Sequence, residues 1–145
     1  VRGQSEAIAR TLAVISSLNT KILVVVSGEC GSGGALALGV VDHIAILEYG
    51  TYSVASPEAC ASIVWRESDK APQAAEAMKV GANDLKKIGI VDEIISEPIG
   101  GAHQDYDTIS ASIKLSLLTN IAELSKFSQE ELLQRRYQRL LKIGA

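Results

Sequence analysis

The stretch ILVVVSGECGSGGALALG, residues 22–39, constrains this chain more than any other. Ile22 to Val26 is continuously apolar and β-branched apart from Leu23, the pattern of a strand covered on both faces, as in a parallel sheet. It is followed by four glycines within residues 28–34 (Gly28, Gly31, Gly33 and Gly34) and then by Ala35 and Leu36. Residues without side chains have nothing to pack, so at this point the backbone itself is the useful object.

The rest of the chain alternates in the same manner. Ile8, Leu12 and Ile15 recur at helical spacing in residues 4–18. A short helix is predicted over 34–40, and apolar strands over 43–47 and 51–54. Ser56-Pro57-Glu58 reads as a helix start: serine as cap, proline at the first helical position, and an acid at the positive end of the dipole. That helix runs to about Trp65, and residues 66–72 read as a polar loop closed by Pro72. Short helices follow at 74–78 and 82–88, with Gly89 as C-cap, then a strand at 91–95 and a loop marked by Pro98, Gly100 and Gly101. Residues 106–124 and 128–143 read as two long helices. Strands alternating with helices predict an α/β fold with a mostly parallel core. The helical last third reads as an appendage or assembly surface, with a boundary placed between 1–104 and 105–145.

Composition excludes several classes. The 145 residues suffice for one domain. A net charge of -3 gives a nucleic-acid partner little electrostatic support. No apolar run approaches the ~18 residues of a membrane helix. Cys30 and Cys60 form no CxxC pair and read as reduced thiols of a cytoplasmic protein, and the isolated His43 and His103 give no metal site. The chain opens on Val1 and Arg2, already near a helical pattern, and reads as a fragment of a longer polypeptide.

Three chemistries compete for the glycine loop. Dinucleotide binding would need a GxGxxG spacing, which is absent, and a longer crossover helix before the strand that ends near Glu48. A Ser32 nucleophile would need a base, and neither His43 nor His103 lies in a recognisable context. An oxyanion site needs only backbone: consecutive glycines at a helix start expose N–H donors, and the helix dipole adds positive potential. Physics alone also leaves open a loop kept simply for tight strand–helix packing.

Six segments in order, RGQSEAIAR (2–10), GECGSGGALALG (28–39), YSVASPEACASIVW (52–65), KAPQAAEAMK (70–79), DEIISEPIGGAH (92–103) and LLQRRYQRL (132–140), resemble the carboxyltransferase alpha subunit of multi-subunit bacterial acetyl-CoA carboxylase. The resemblance covers nearly the whole chain. It implies a crotonase-like fold, a spiral of ββα units of the ClpP/crotonase type, here partial, with a helical C-terminal extension. It implies transfer of a carboxyl group from carboxybiotin, held on a separate biotin carboxyl carrier protein, to acetyl-CoA. The product would be malonyl-CoA for fatty acid synthesis. It implies an alpha2beta2 heterotetramer with a beta subunit, biotin carboxylase as an indirect partner, and no metal on this chain. The family's oxyanion-hole glycine pair falls on Gly33 and Gly34. Gly31, Ser32, Ser56, Pro57 and Arg139 are the candidate substrate contacts. The family usually has glycine where this chain has Cys30, a change that restricts positive φ and would alter the turn. The family's preceding segment is absent, so the resemblance implies the C-terminal half of the subunit.

Other residues have plainer readings. Glu58 as a general base is weaker than Glu58 as part of a helix start, and Trp65 reads as core or interface. Gly100 and Gly101 beside His103 read as a structural loop. Arg135, Arg136, Arg139 and Lys142 read by default as a solvated basic face, and more sharply as a site for CoA phosphates or an acidic partner. Two functions of other classes stay beside the carboxyltransferase reading: a non-catalytic assembly module, and a hydratase of the same fold, which would need carboxylates such as Glu29, Glu48 or Glu58 to handle water.

Overall fold

Strand β3 (His43–Leu47) organises the structure, a computed structural model that describes residues 3–143. It lies between β1 (Leu23–Val26) and β5 (Glu93–Ile95) in a sheet of order β1-β3-β5, with both pairings parallel. Val26 stands opposite Ile46, and Ile46 opposite Ile94. Successive side chains of a strand point to opposite faces, and β3 divides accordingly. Ile44 and Ile46 enter a core with Val26, Val41, Tyr52, Leu85 and Val91, whereas Ala45 and Leu47 enter a second core with Ile95 and Ile109. Burial on both faces is why these segments read as unbroken apolar runs.

The first core is closed by α2 (Ser32–Gly39) and α5 (Ala82–Lys87), through Ala35 and through Ala82 and Leu85. The second is closed by α6 (Tyr106–Leu124), whose Ile109 and Ile113 lie against the sheet. The first helix of the last third therefore packs on this second face of the sheet. A final helix, α7 (Gln129–Leu141), begins with a reciprocal cap: Ser128 Oγ accepts the Glu131 N–H, and Glu131 Oε2 accepts the Ser128 N–H. α1 (Gln4–Ser17) packs beside α2 and α7 and has no fully buried residue.

Several boundaries differ from expectation. The glycine stretch contains a short strand, β2 (Glu29–Gly31), which pairs in parallel with β4 (Thr51–Ser53) in a separate sheet. Three residues are too few to show a period, so sequence reading sees only a loop. α2 starts at Ser32, not Gly34. Pro72 does not end a loop: it lies in the first turn of α4 (Ala71–Met78), where a missing N–H costs nothing. β5 begins at Glu93, because Asp92 turns its carboxylate onto the Ile44 N–H at 2.8 Å. Other boundaries agree closely. α3 (Pro57–Trp65) is capped by Ser56, whose Oγ accepts the Ala59 N–H. Gly89 follows α5 with φ of 77°, the left-handed conformation a C-terminal glycine supplies.

Candidate active site

β2 delivers the chain into α2 by one sharp turn. Gly31 is extended, with φ of -140°. Ser32 has φ of 56°, in the left-handed region that non-glycine residues rarely occupy. Cys30 is not among the described residues with positive φ; it lies in β2 opposite Tyr52. Its Cβ therefore sits in an ordinary strand conformation, with no positive φ for a side chain to oppose. Burial pushes the Cys30 thiol up, away from the thiolate form that would make it reactive.

The first N–H groups of a helix have no partner within it, and in α2, with Gly31 as N-cap, these include Ser32, Gly33 and Gly34. Among the described residues the positive end of the helix has no capping side chain and no acid within its own first turn. The two glycines differ in their surroundings. A Cβ at Gly34 would meet nothing within 4 Å, whereas one at Gly33 would lie 3.0 Å from Ile8 Cδ1. Gly34 faces open space and Gly33 is backed by α1. The buried Tyr52 phenol donates to the Ala35 carbonyl and ties this turn to β4. Burial pushes that phenol's pKa up, which keeps it a donor.

Gly31, Ser32, Ser56 and Pro57 line one cleft with Cys30 and Met78. Arg139 lies elsewhere, in a groove between α6 and α7 with His43, Asn120 and Arg135. Its guanidinium bonds to Asp92 at 3.0 Å and to the carbonyls of Ile90 at 2.7 Å and Gly39 at 3.3 Å. Among the described residues neither histidine bonds to Ser32: His43 pairs with Glu93 at 3.1 Å, and His103 with Gln104 at 3.0 Å. Glu58 and Trp65 are exposed on α3. Gly101 has φ of 108° and donates to the Pro98 carbonyl, a structural turn.

The basic stretch of α7 is not one solvated face. Arg136 is 2% exposed. It forms a two-pronged ion pair with Asp42, through Nε at 2.9 Å and Nη2 at 2.8 Å. Nη1 donates to the carbonyls of Ile15, Ser16 and Leu18, and Nη2 to that of Thr20. Sequence reading missed Asp42 and Asp92 as partners because 94 residues separate Asp42 from Arg136. The available signal was weak: arginines three apart at 136 and 139, with Asp42 and Asp92 each just before an apolar strand.

A further polar cluster joins β5 to α6. Glu93 Oε2 accepts from Ser116 Oγ and Asn120 Nδ2, both at 2.8 Å, and faces His43. Burial pushes the Glu93 carboxyl up, but the hydrogen bonds from Ser116, Asn120 and His43 outweigh it and hold the carboxyl below the usual glutamate range. A depressed folded-state pKa stabilises the fold above the unfolded value, and that stability is lost as pH falls through the folded one. Acid titration of unfolding should therefore show a steeper loss below the ordinary glutamate pKa in wild type than in Glu93→Gln. Equal slopes would contradict the assignment.

A family model described as acetyl co-enzyme A carboxylase carboxyltransferase-like matches residues 1–144. The chain belongs to this family. Within the carboxyltransferase family it is 57% identical over 143 residues to the acetyl-coenzyme A carboxylase carboxyl transferase subunit alpha of Photobacterium profundum, covering 99% of this chain and 45% of the relative. The same subunit of Alcanivorax borkumensis is 55% identical, covering 99% and 44%. The chain thus spans somewhat less than half the length of these relatives. It also superposes on a chain of a Pseudomonas malonate decarboxylase hetero-tetramer, solved in complex with coenzyme A, with a TM-score of 0.71 at 14% identity, over 92% of this chain and 53% of that one. That likeness shows the fold, an α/β crotonase-like architecture with a helical C-terminal part, in agreement with the sequence expectation.

Proposed function

We propose that this carboxyltransferase-family chain supplies one oxyanion hole for carboxyl transfer to acetyl-CoA, giving malonyl-CoA for fatty acid synthesis. The uncapped start of α2, open at Gly34, carries the reading. Carboxybiotin on the carrier protein supplies the carboxyl group. The chain's own contribution is electrostatic: the N–H groups of Gly33 and Gly34 face the oxygen that gains negative charge and are already in place when it does so. A site made of backbone donors fits an anionic oxygen and requires no side-chain acid or base, which agrees with neither histidine bonding to Ser32 among the described residues. Gly31, Ser32, Ser56 and Pro57, which share the adjoining cleft, are the proposed substrate contacts. Arg139 is committed to Asp92 and two carbonyls and enters the proposal only as a structural residue.

A second oxyanion hole is assigned to a beta subunit, in an alpha2beta2 assembly that works with the carrier protein and, indirectly, biotin carboxylase in the cytoplasm. Reverse transfer tests the reading. The full polypeptide carrying this chain, combined with its beta partner, malonyl-CoA and biocytin, should release acetyl-CoA in a biocytin-dependent manner. No release from a folded, assembled complex would overturn the reading in favour of an assembly role, and turnover without biocytin would favour a hydratase-like or other acyl-CoA chemistry.

A further inference from the structure

α1 is attached to the rest of the molecule in a way that bears on the Gly33–Gly34 turn. It has no fully buried residue; Ile8, Leu12 and Ile15 are its half-buried positions. These lie on one stripe, because residues at i, i+4 and i+7 share a helix face. Ile15 packs on the first core. Ile8, seven residues earlier and about 10 Å along the axis, lies over Gly33, with Cδ1 at 3.0 Å from the position a Cβ would take. The C-terminal end of the helix is held differently. The last turn of α1 has no basic residue of its own. Arg136 reaches in from α7 and binds the carbonyls of Ile15 at 2.9 Å and Leu18 at 3.0 Å, placing a cation at the negative end of the dipole.

We propose that Ile8 is a positioning residue for the Gly33 and Gly34 amides, and that Arg136 keeps Ile8 in register by pinning α1. The inference rests on the proposed oxyanion role of those amides, and it makes α1 the backstop of the donor turn. Removing the Ile8 side chain beyond Cβ leaves Gly33 unsupported on that side. The turn then samples positions in which its donors no longer converge.

The test uses the full polypeptide assembled with its beta partner. In Ile8→Ala, hydrogen exchange of amides in residues 28–39 should quicken, with exchange in β1, β3 and β5 unchanged. In reverse transfer, kcat should fall about tenfold, with KM for malonyl-CoA altered by less than about twofold. Ile8→Leu, which again reaches toward Gly33, should restore both. In Arg136→Lys, which keeps the charge but loses the fork of donors, exchange should quicken in α1 and in 28–39 together. Unchanged exchange at 28–39 in Ile8→Ala would overturn the role of Ile8, as would a loss of activity accompanied by loosening of the sheet. Quicker exchange in α1 alone would remove Arg136 from the proposal. If the wild-type complex transfers no carboxyl group, the proposed function fails, and hydrogen exchange alone still decides whether Ile8 and Arg136 position the turn.

Discussion

Gly34→Val is expected to reduce reverse carboxyl transfer by about a hundred- to a thousandfold while leaving the fold intact, because keeping the anionic oxygen from even one oxyanion donor typically costs about 3 kcal/mol of transition-state stabilisation. The two halves of this prediction have separate physical grounds. Stability is spared because a Cβ at Gly34 meets nothing within 4 Å and the residue has no positive φ. Valine is also a better helix former than glycine, by a few tenths of a kcal/mol. Activity is lost because Cβ atoms on a helix tilt toward its N-terminus, so the branched methyls would stand beside the free N–H groups where the anionic oxygen must sit. The measurement is kcat by biocytin-dependent acetyl-CoA release, alongside thermal unfolding and assembly with the beta partner. Near-wild-type kcat in Gly34→Val would move the oxyanion site away from this turn. Gly33→Val is a poorer probe, because its side chain would first collide with Ile8.

Arg136→Met is expected to destabilise the fold by about 3–5 kcal/mol, the usual cost of leaving a buried charge without its partner. Asp42, whose side chain is 2% exposed, would be left with only the Ile22 N–H among the described residues. The carbonyls of Leu18 and Thr20 would also lose the guanidinium donor, and that of Ile15 would keep only the Leu18 N–H among the described residues. Its neighbour makes the control. Arg135 is exposed and lies 4.1 Å from the centre of the Phe127 ring, so Arg135→Met should cost no more than about 1 kcal/mol. Urea unfolding of the full polypeptide would compare the two midpoints at constant slope. Equal shifts would mean that the Asp42 pair contributes nothing beyond an ordinary surface contact.

These two arginines show where sequence reading succeeds and where it stops. Local signals carried the strands at β1 and β3, the Ser56-Pro57 start of α3 and the Gly89 stop of α5, because each depends on a few consecutive residues. The helix-start glycines were legible for the same reason. A short strand such as Glu29–Gly31 has no period, and Pro72 is equally at home closing a loop or opening a helix. The ion pairs were illegible on different grounds. A basic stretch carries no mark of which arginine turns inward; that depends on where Asp42 and Asp92 arrive after the sheet has formed. Likewise, nothing in RGQSEAIAR assigns Ile8 to Gly33, a contact made only once α1 lies against α2.

The reach of Arg136 also has a consequence for the order in which the protein can be finished. It bonds to Ile15, 121 residues earlier in the chain. At the ribosome's pace of about 5–20 residues per second, roughly 6–24 s separate the synthesis of these two residues. Throughout that interval α1 is without its cation, and of the contacts described for it the half-buried stripe remains. The nascent chain therefore passes through a stage in which the sheet has its first strands but the helix behind the donor turn is not yet pinned. A ribosome stalled, or a chain cut, before Arg136 would leave that stage as the end point.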